Sequence, residues 1–171
     1  MSKQHQCDIK ISGIADSLAA LKQIDFELAY LVLLTREGLK PLSRWEKSLD
    51  EKEIKLLQAM DLQVKRIARI VKTGNQVTET VFSRFPAYLE LYANRFENKP
   101  IEKDSETQRF EGFLFGYPPC CIEQYILKPY AVNNLEEKDQ KILFHWACNN
   151  CIITSFLLDF YKKIYIKLEN L

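Results

Sequence analysis

The sequence predicts a mainly α protein, a single compact helical domain with little β structure. Apolar residues recur mostly at intervals of three and four, which is the period of an α-helix and not the two-residue alternation of a strand. The 171 residues contain only five glycines, few for a sheet protein that needs many tight turns. With 47% apolar residues, the chain is long enough for one core and short for two.

The first predicted helix carries apolar residues on one face and ends at Gly38. The members of its stripe are Leu18, Leu21, Ile24, Leu28, Leu31 and Val32. A short stretch nearer the N-terminus, CDIKI, alternates instead like a strand. Glycine after the last periodic residue is a common helix stop.

A second predicted helix begins after Asp50, with Glu53 in the capping-box position, and ends at Gly74. Its apolar stripe is Ile54, Leu57, Met60, Val64, Ile67 and Ile70. From Val77 an aromatic-rich segment continues the helical spacing as far as Phe96. Pro86 must kink this segment or start a new helix there, because proline lacks the amide hydrogen that a helix interior uses.

These patterns predict a single domain, 1–171, that consists of three parts. Residues 1–97 form a helical part, and residues 98–107 are a polar connection without a periodic apolar face. Residues 108–171 form a second helical part that bears the cysteines. Its last helix has the clearest apolar face, formed by Ile153, Phe156, Leu157, Phe160, Ile164 and Leu168.

The charge balance and the apolar runs of the chain indicate whether it binds nucleic acid or a membrane. Lys plus Arg number 24 against 23 for Asp plus Glu, so nucleic acid is not the favoured partner. The longest apolar run, Leu28–Leu34, is far shorter than the roughly 20 residues of a membrane span, and the N-terminus lacks a signal-peptide core. We expect a cytoplasmic protein without a membrane association. The oligomeric state stays open.

The cysteines carry the chemical signal of the chain. Four of the five lie between Cys120 and Cys151, in the patterns PPCC and HWACNNC. The candidate metal ligands are Cys120, Cys121, His145, Cys148 and Cys151. Structural zinc takes four thiolate or imidazole ligands, often as two close pairs from separate segments. This pattern predicts a zinc site. An iron–sulfur cluster is the weaker alternative, because histidine among the ligands makes zinc the simpler assignment.

Both cysteine segments are predicted to begin helices. Pro118 and Pro119 suit a first helical turn, where the missing amide hydrogen costs nothing. The positive end of the helix dipole would then lower the pKa of Cys120 and Cys121, as it would at the start of the last helix. Several ionised sulfurs facing one another need a cation or a disulfide, so we expect the two segments to converge. Gly116 is expected to adopt a positive φ before this turn.

Other interpretations of the same residues stay open. The paired thiols of Cys120 and Cys121 could serve a redox sensor or an enzyme, with His145 as base, although no orienting third residue is identifiable. The protein could also be a non-catalytic interaction module whose cluster only ties helices together. Glu123 could act as an acid, orient a ligand or complement its helix dipole. Cys7 and His5 are expected to be bystanders.

The stretches FGYPPCCIEQY and HWACNNCIITS resemble the signature of a family of uncharacterised prokaryotic proteins, known as a domain of unknown function. That family is marked by a G-Y-P-x-C-C element and a later His/Cys segment. The resemblance covers residues 116–155. It implies that Gly116, Tyr117, Pro118, Cys120, Cys121, His145, Cys148 and Cys151 are the marked positions. It supplies no activity.

Overall fold

The computed structural model describes the backbone of residues 3–171 and the side chains from residue 13 onward. The strands are β1 (Ser43–Trp45), β2 (Gln63–Ile70), β3 (Gln76–Ser83) and β4 (Lys99–Pro100). The helices are α1 (Lys3–Ile24), α2 (Phe26–Arg36), α3 (Glu51–Ala59), α4 (Pro86–Phe96), α5 (Ser105–Leu114), α6 (Pro119–Leu127), α7 (Glu137–Lys141) and α8 (Ile152–Glu169).

The strands form one mixed sheet in the order β1-β3-β2-β4. β3 pairs antiparallel with both β1 and β2, and β4 runs parallel to β2. The prediction of a mainly α protein with little β structure is therefore wrong. The chain is helix-rich, but its fold is mixed α/β.

The prediction of the second helix is correct for its first half and wrong for the rest. α3 begins with the predicted capping box, in which Asp50 and Glu53 exchange side-chain to backbone hydrogen bonds. The chain then turns at Asp61, whose φ of 61° lies in the left-handed region and cannot continue a helix. From residue 63 the chain is β2, where Ile67 is fully buried. Intervals of three do not distinguish the two structures here, because branched Val and Ile side chains also suit a pleated surface.

The segment after Gly74 also differs from its prediction. Residues 76–83 pair with β2 along their whole length, so Val77 and Val81 belong to a strand and not to a helix. Gly74, with φ +85°, lies in the hairpin loop and is not a helix stop. Pro86 starts a new helix, which confirms one of the two alternatives predicted for it.

Two boundaries near the N-terminus were also tested by the structure. The strand expected at CDIKI is wrong, because the backbone there belongs to α1. The first apolar stripe is divided between two helices at Asp25, whose side chain accepts a hydrogen bond from the Leu28 amide as an N-cap. Gly38 follows the end of α2 with φ +83°, so the predicted stop is confirmed.

Helices cover both faces of the sheet, because alternate residues of a strand point to opposite sides. Phe82 belongs to the larger core, which is built from α1, α2, α3 and α8. Val81 and Ile67 belong to a second core with α4 and the end of α5. The cysteine-bearing segments pack at the rim of the larger core, where Cys121 and Cys151 are buried.

The last helix forms as predicted, but its buried face is shifted. Leu168 and Tyr161 are buried, whereas Phe156 and Phe160 are 74% and 54% exposed. Within the polar connection, Lys99–Pro100 forms β4 and Asp104 caps α5. No helix in the described part of the chain has the length and apolar character needed to cross a membrane.

Candidate metal centre

The turn before α6 brings the first two cysteines to the site. Gly116 has φ +71°, as expected, and a side chain there would collide with the Pro41 ring, whose Cδ would lie 2.7 Å from the added Cβ. Pro119 is the first residue of α6. The Cys121 amide bonds the Pro118 carbonyl at 2.9 Å, three residues back and tighter than an α-helical turn. This tight first turn lets two adjacent cysteines approach one point.

The second pair lies just before α8 and within its cap. Asn150 adopts φ 57°, which turns the chain between Cys148 and Cys151. Cys151 is the N-cap of α8, and its Sγ accepts a hydrogen bond from the Thr154 amide at 3.3 Å. The predicted placement of this cysteine at a helix start is thereby confirmed.

The four cysteines form one cluster. The Sγ atoms of Cys120, Cys121, Cys148 and Cys151 all lie within 4.8 Å of one another. The Cys151 sulfur lies 3.4 Å from the sulfurs of both Cys120 and Cys121. The predicted convergence of the two segments is confirmed, and four cysteine sulfurs in this arrangement could bind a metal ion.

Hydrogen-bonding groups lie beside the Cys121 sulfur. The Cys148 amide donates to the Cys121 Sγ at 3.3 Å, and the Thr154 hydroxyl lies 3.6 Å from the same sulfur. The sequence analysis missed Thr154. A threonine three residues after a capping cysteine is the signal that could have identified it, because the third helical amide is the usual partner of an N-cap.

The thiols differ in how readily they ionise. Burial raises the pKa of Cys120 to about 11 and also raises the pKa of Cys121, against the expected effect of the helix start. Burial also opposes ionisation of Cys151, but hydrogen bonds from Thr154 and the neighbouring thiols lower the pKa of Cys151 to about 7. The first negative charge of the cluster therefore belongs on Cys151. Further ionisation needs a cation to offset the repulsion.

His145 lies beside the cluster and outside the group of four sulfurs. Its Nε2 pairs with the Thr154 Oγ1 at 3.0 Å, and its ring packs on Tyr117 with centroids 5.3 Å apart. Burial, and then the charge of Lys40, lower the pKa of His145 to about 4, so the imidazole is neutral at pH 7. Among the described side chains its Nδ1 is buried without a hydrogen-bond partner.

Glu123, Cys7 and His5 complete the residues that the sequence analysis named. The Glu123 carboxylate accepts two hydrogen bonds from the Arg109 guanidinium, at 2.6 and 2.8 Å, and so links α5 to α6 at the surface. Neither Glu123 nor Arg109 hydrogen-bonds a cluster sulfur among the described residues. The side chains of Cys7 and His5 lie outside the described residues.

A cleft of about 920 Å³ opens beside the cluster. Its walls are α5 and α6 on one side and residues 130–146 on the other, and both Cys121 and His145 line it. Six aromatic side chains take part in the lining, namely Phe115, Tyr117, Tyr125, Tyr130, Phe144 and Trp146. We refer to this space as the aromatic cleft. Helical spacing gave no sign of it, because its walls come from distant parts of the sequence.

Charged residues beneath the aromatic cleft neutralise one another. Arg44 donates to Glu111 at 2.6 Å, and Arg69 donates to Glu79 at 3.3 Å. The Tyr92 hydroxyl donates to Glu79 at 2.6 Å and accepts from Arg44 at 3.3 Å, so it joins the two pairs. Two arginines and two glutamates leave no net charge in this network.

Lys40 is a further buried basic residue near the cleft. Its ammonium donates to the Phe115 carbonyl at 3.0 Å and lies 4.5 Å from the centre of the Tyr117 ring. Burial lowers the pKa of Lys40 to about 7. No ion pair joins it to a carboxylate in the described part of the chain.

Fold and site together define a helix-rich α/β protein with a four-cysteine cluster beside an aromatic cleft. No protein-family model, curated protein or solved structure matches the chain. Conclusions about function rest on the residues of this chain.

Proposed function

We propose that the protein binds one zinc ion through the sulfurs of Cys120, Cys121, Cys148 and Cys151. The observation that supports this proposal is the separation of at most 4.8 Å among all four Sγ atoms. A tetrahedral ion with metal–sulfur bonds of about 2.3 Å holds its sulfurs about 3.8 Å apart. Small movements of these side chains would reach that geometry.

The same separations favour a single ion over an iron–sulfur cluster. A cluster inserts several irons and bridging sulfides between the cysteine sulfurs and therefore spreads them further apart. Zinc does not require His145 as a ligand, because four closely spaced thiols can fill a tetrahedral site. A single iron with the same ligands is the alternative metal.

The ion would have a structural role. All four positions of a tetrahedral ion are taken by protein sulfurs, which is typical of structural sites and not of catalytic ones. It would fasten the start of α6 to the start of α8 and so close one end of the aromatic cleft. A reducing cytoplasm fits this proposal, because the four thiols must escape disulfide formation to bind a metal.

Elemental analysis of anaerobically purified protein, with its visible absorption spectrum, tests the proposal. We expect one zinc per chain and no visible bands. The Cys148→Ser variant should lose the zinc, whereas Cys7→Ser, a cysteine outside the cluster pattern, should retain it. Protein without metal would overturn the proposal, and visible bands with iron would replace zinc by an iron centre.

A thiol-based redox function is the second candidate, favoured by the 3.4 Å contacts of the Cys151 sulfur with Cys120 and Cys121. In metal-free protein, hydrogen peroxide would take two electrons and two protons from a thiol pair and leave one disulfide and two waters. Mass spectrometry without reductant should then find Cys151 joined to Cys120 or Cys121. Metal-free protein that forms no such disulfide when treated with peroxide would exclude this function.

The resemblance of residues 116–155 to the G-Y-P-x-C-C family stays a prediction, and with it the family's marked positions. We also infer that the non-catalytic module of the sequence analysis is compatible with a structural zinc ion. Four sulfurs are enough to fill a closed structural site, and His145 is held by Thr154 instead.

A further inference from the structure

The first half of α8 carries apolar side chains on its exposed face. Ile152, Phe156 and Phe160 are 72%, 74% and 54% exposed, and Ile153 is 46% exposed. Their spacing of three and four residues places them on one side of the helix. Phe113, 62% exposed near the end of α5, adjoins this side because it lines the same groove as Ile153. We refer to these five residues as the apolar patch.

The apolar patch is large for the surface of a single chain. Its five side chains expose roughly 600 Å², if a phenylalanine side chain has about 200 Å² of surface. The largest apolar patch on a typical monomer is about 300 to 600 Å² and often marks an interaction site. Two such patches in contact would bury roughly 1,200 Å², above the total of about 1,000 Å² that a specific interface needs. The patch therefore has enough area to hold a second copy of the chain.

A groove of about 470 Å³ opens at one end of the apolar patch, and we refer to it as the end groove. Its walls come from the end of α5, the turn before α6, and the first turns of α6 and α8, with Pro119, Ile122 and Ile153 among the lining residues. Arg109 and Glu123 also line it and are paired with each other at 2.6 Å. The end groove is thus an apolar recess beside charges that are already neutralised, which suits an aromatic side chain.

The end groove and Phe160 match each other across a two-fold axis. Ile153 and Phe160 lie seven residues apart, which is about 10.5 Å along α8 at 1.5 Å per residue. If two copies of α8 pack antiparallel with the axis midway between these positions, each Phe160 faces the Ile153 of the other copy. Phe156 then lies at the axis and packs against Phe156 of the second copy. A single two-fold arrangement therefore fills both end grooves.

The charges at the border of the apolar patch favour a second copy over a membrane surface. Asp159 and Lys163 are both exposed and follow Phe156 and Phe160 by three residues each, so they lie on the same side of α8. The Lys163 ammonium lies 5.6 Å from the centre of the Phe160 ring. Helices that bind anionic membranes carry clusters of Lys and Arg. Here one negative and one positive charge cancel, and the aspartate would be repelled by anionic lipid.

We propose that two copies of this chain form a two-fold dimer through the apolar patch, with Phe160 of each copy in the end groove of the other. The groove and the side chain that fills it belong to the same surface, as a two-fold interface requires. Phe156, at the axis, is the central anchor of the contact, where binding energy concentrates. The dimer does not rest on the proposed zinc ion, because its contacts are made by side chains of α5, α6 and α8.

Sedimentation velocity of the full chain over a range of concentrations tests the dimer. We expect a reversible monomer–dimer equilibrium with a Kd of about 10 µM, because the interface is small. Phe156→Glu should raise the Kd at least about 30-fold by placing a charge at the central anchor. Its circular dichroism spectrum should match the wild type, since the side chain is exposed.

Leu91→Glu is the matched control for that variant. Leu91 is an exposed apolar residue of α4, which packs on β2 and β3, whereas α8 packs on α2. This variant should dimerise like the wild type. A wild type that stays monomeric, a Phe156→Glu variant that dimerises equally well, or an equal loss in Leu91→Glu would overturn the proposal.

Mixing two further variants tests the antiparallel register. Ile153→Glu and Phe160→Lys should each weaken the dimer, because each places a charge against an apolar residue of the other copy. An equimolar mixture should dimerise at least about tenfold more tightly than either variant alone, since the two opposite charges then face each other and the second contact is that of the wild type. A mixture that dimerises no better than its components would refute the register and the proposal with it.

Vesicles of equal parts phosphatidylserine and phosphatidylcholine test the alternative occupant. We expect the wild type to remain in solution when the vesicles are sedimented. Cosedimentation that Phe156→Glu abolishes would assign the apolar patch to a membrane surface and overturn the dimer.

Discussion

Cys151 has more roles than the other three cysteines. It caps α8 through the Thr154 amide, it lies within 3.4 Å of two other sulfurs, and its pKa is lowered to about 7. A metal arriving at the cluster would therefore meet one thiol that is about half ionised at neutral pH. The remaining protons leave as the cation binds, so the affinity of the site for metal should rise with pH.

Lys40 should make the free energy of unfolding increase with pH. Its folded-state pKa of about 7 lies below the ordinary 10.5, so between these values the unfolded chain binds more protons than the folded chain. The free energy of unfolding should rise from pH 7 to pH 9, by up to about 1.4 kcal/mol per pH unit. Below pH 7 this contribution should be flat.

The Lys40→Met variant isolates that contribution. Methionine fills a similar space without a charge, so the difference in free energy of unfolding between wild type and variant should change with pH only above about 7. Urea titrations at pH 6, 7, 8 and 9 measure it. A difference independent of pH would mean that Lys40 stays charged in the folded protein.

Gly116 and Gly13 form a matched pair for backbone strain. Gly116→Ala should cost about 2 kcal/mol, because the residue has φ +71° and its Cβ would meet the Pro41 ring. Gly13→Ala lies in α1 with open space around the added Cβ and should stabilise by up to about 1 kcal/mol. Thermal unfolding of both variants, with zinc content, checks the pair. Equal effects would show that the turn before α6 tolerates a side chain.

At the scale of elements, several helix boundaries were predictable because their signals are local, although the helix end predicted at Gly74 is wrong. Asp50 with Glu53, Gly38, and the prolines at 86 and 119 act through neighbouring backbone groups, and the structure contains each of these boundaries. The strands were not predictable in this way. Val64, Ile67 and Ile70 satisfy helical spacing, and only pairing with β3 distinguishes a strand.

The site shows the same division between local and distant signals. Cysteine spacing predicted that residues 120–121 and 148–151 meet, and they do. The partner of His145 could not be predicted, since Thr154 lies on the opposite side of the cysteine segment. The Arg44–Glu111 pair joins β1 to α5 across 67 positions of the sequence, and no periodic pattern of residues indicates such a contact.

The sheet is joined to α4 and α5 by a buried ionic network, which a single substitution can test. Arg69 is 1% exposed, and its guanidinium lies 3.3 Å from Glu79 and 3.8 Å from Glu111. Glu79→Ala should cost about 3 to 5 kcal/mol, because it removes the nearer carboxylate and leaves the buried Arg69 to share Glu111 with Arg44. Glu90→Ala removes the exposed partner of Lys65 and should cost less than about 1 kcal/mol. If both variants lost a similar free energy of unfolding, burial would not explain the cost of Glu79→Ala.

At the scale of the whole molecule, the cluster connects parts of the chain that the sheet does not hold. α6 and the segment leading to α8 form the walls of the aromatic cleft, and both carry cluster cysteines. β2 and β3, by contrast, are paired over eight residues each. Loss of the metal should therefore loosen the cleft and spare the sheet.

Hydrogen exchange before and after chelation measures this difference. Amides of residues 117–127 and 145–155 should exchange faster after a strong chelator removes the ion, and those of β2 and β3 should keep their protection. The melting temperature should fall at the same time. Uniform loss of protection would mean that the ion holds the entire fold, and no change would mean that it holds nothing.

X-ray absorption at the zinc edge tests the central claim most directly, because it counts and identifies the atoms around the ion. For the wild type the account predicts four sulfur neighbours at about 2.3 Å and no nitrogen, with His145 outside the first coordination sphere. A nitrogen neighbour at about 2.0 Å, fewer than four sulfurs, or protein purified anaerobically without zinc would contradict it.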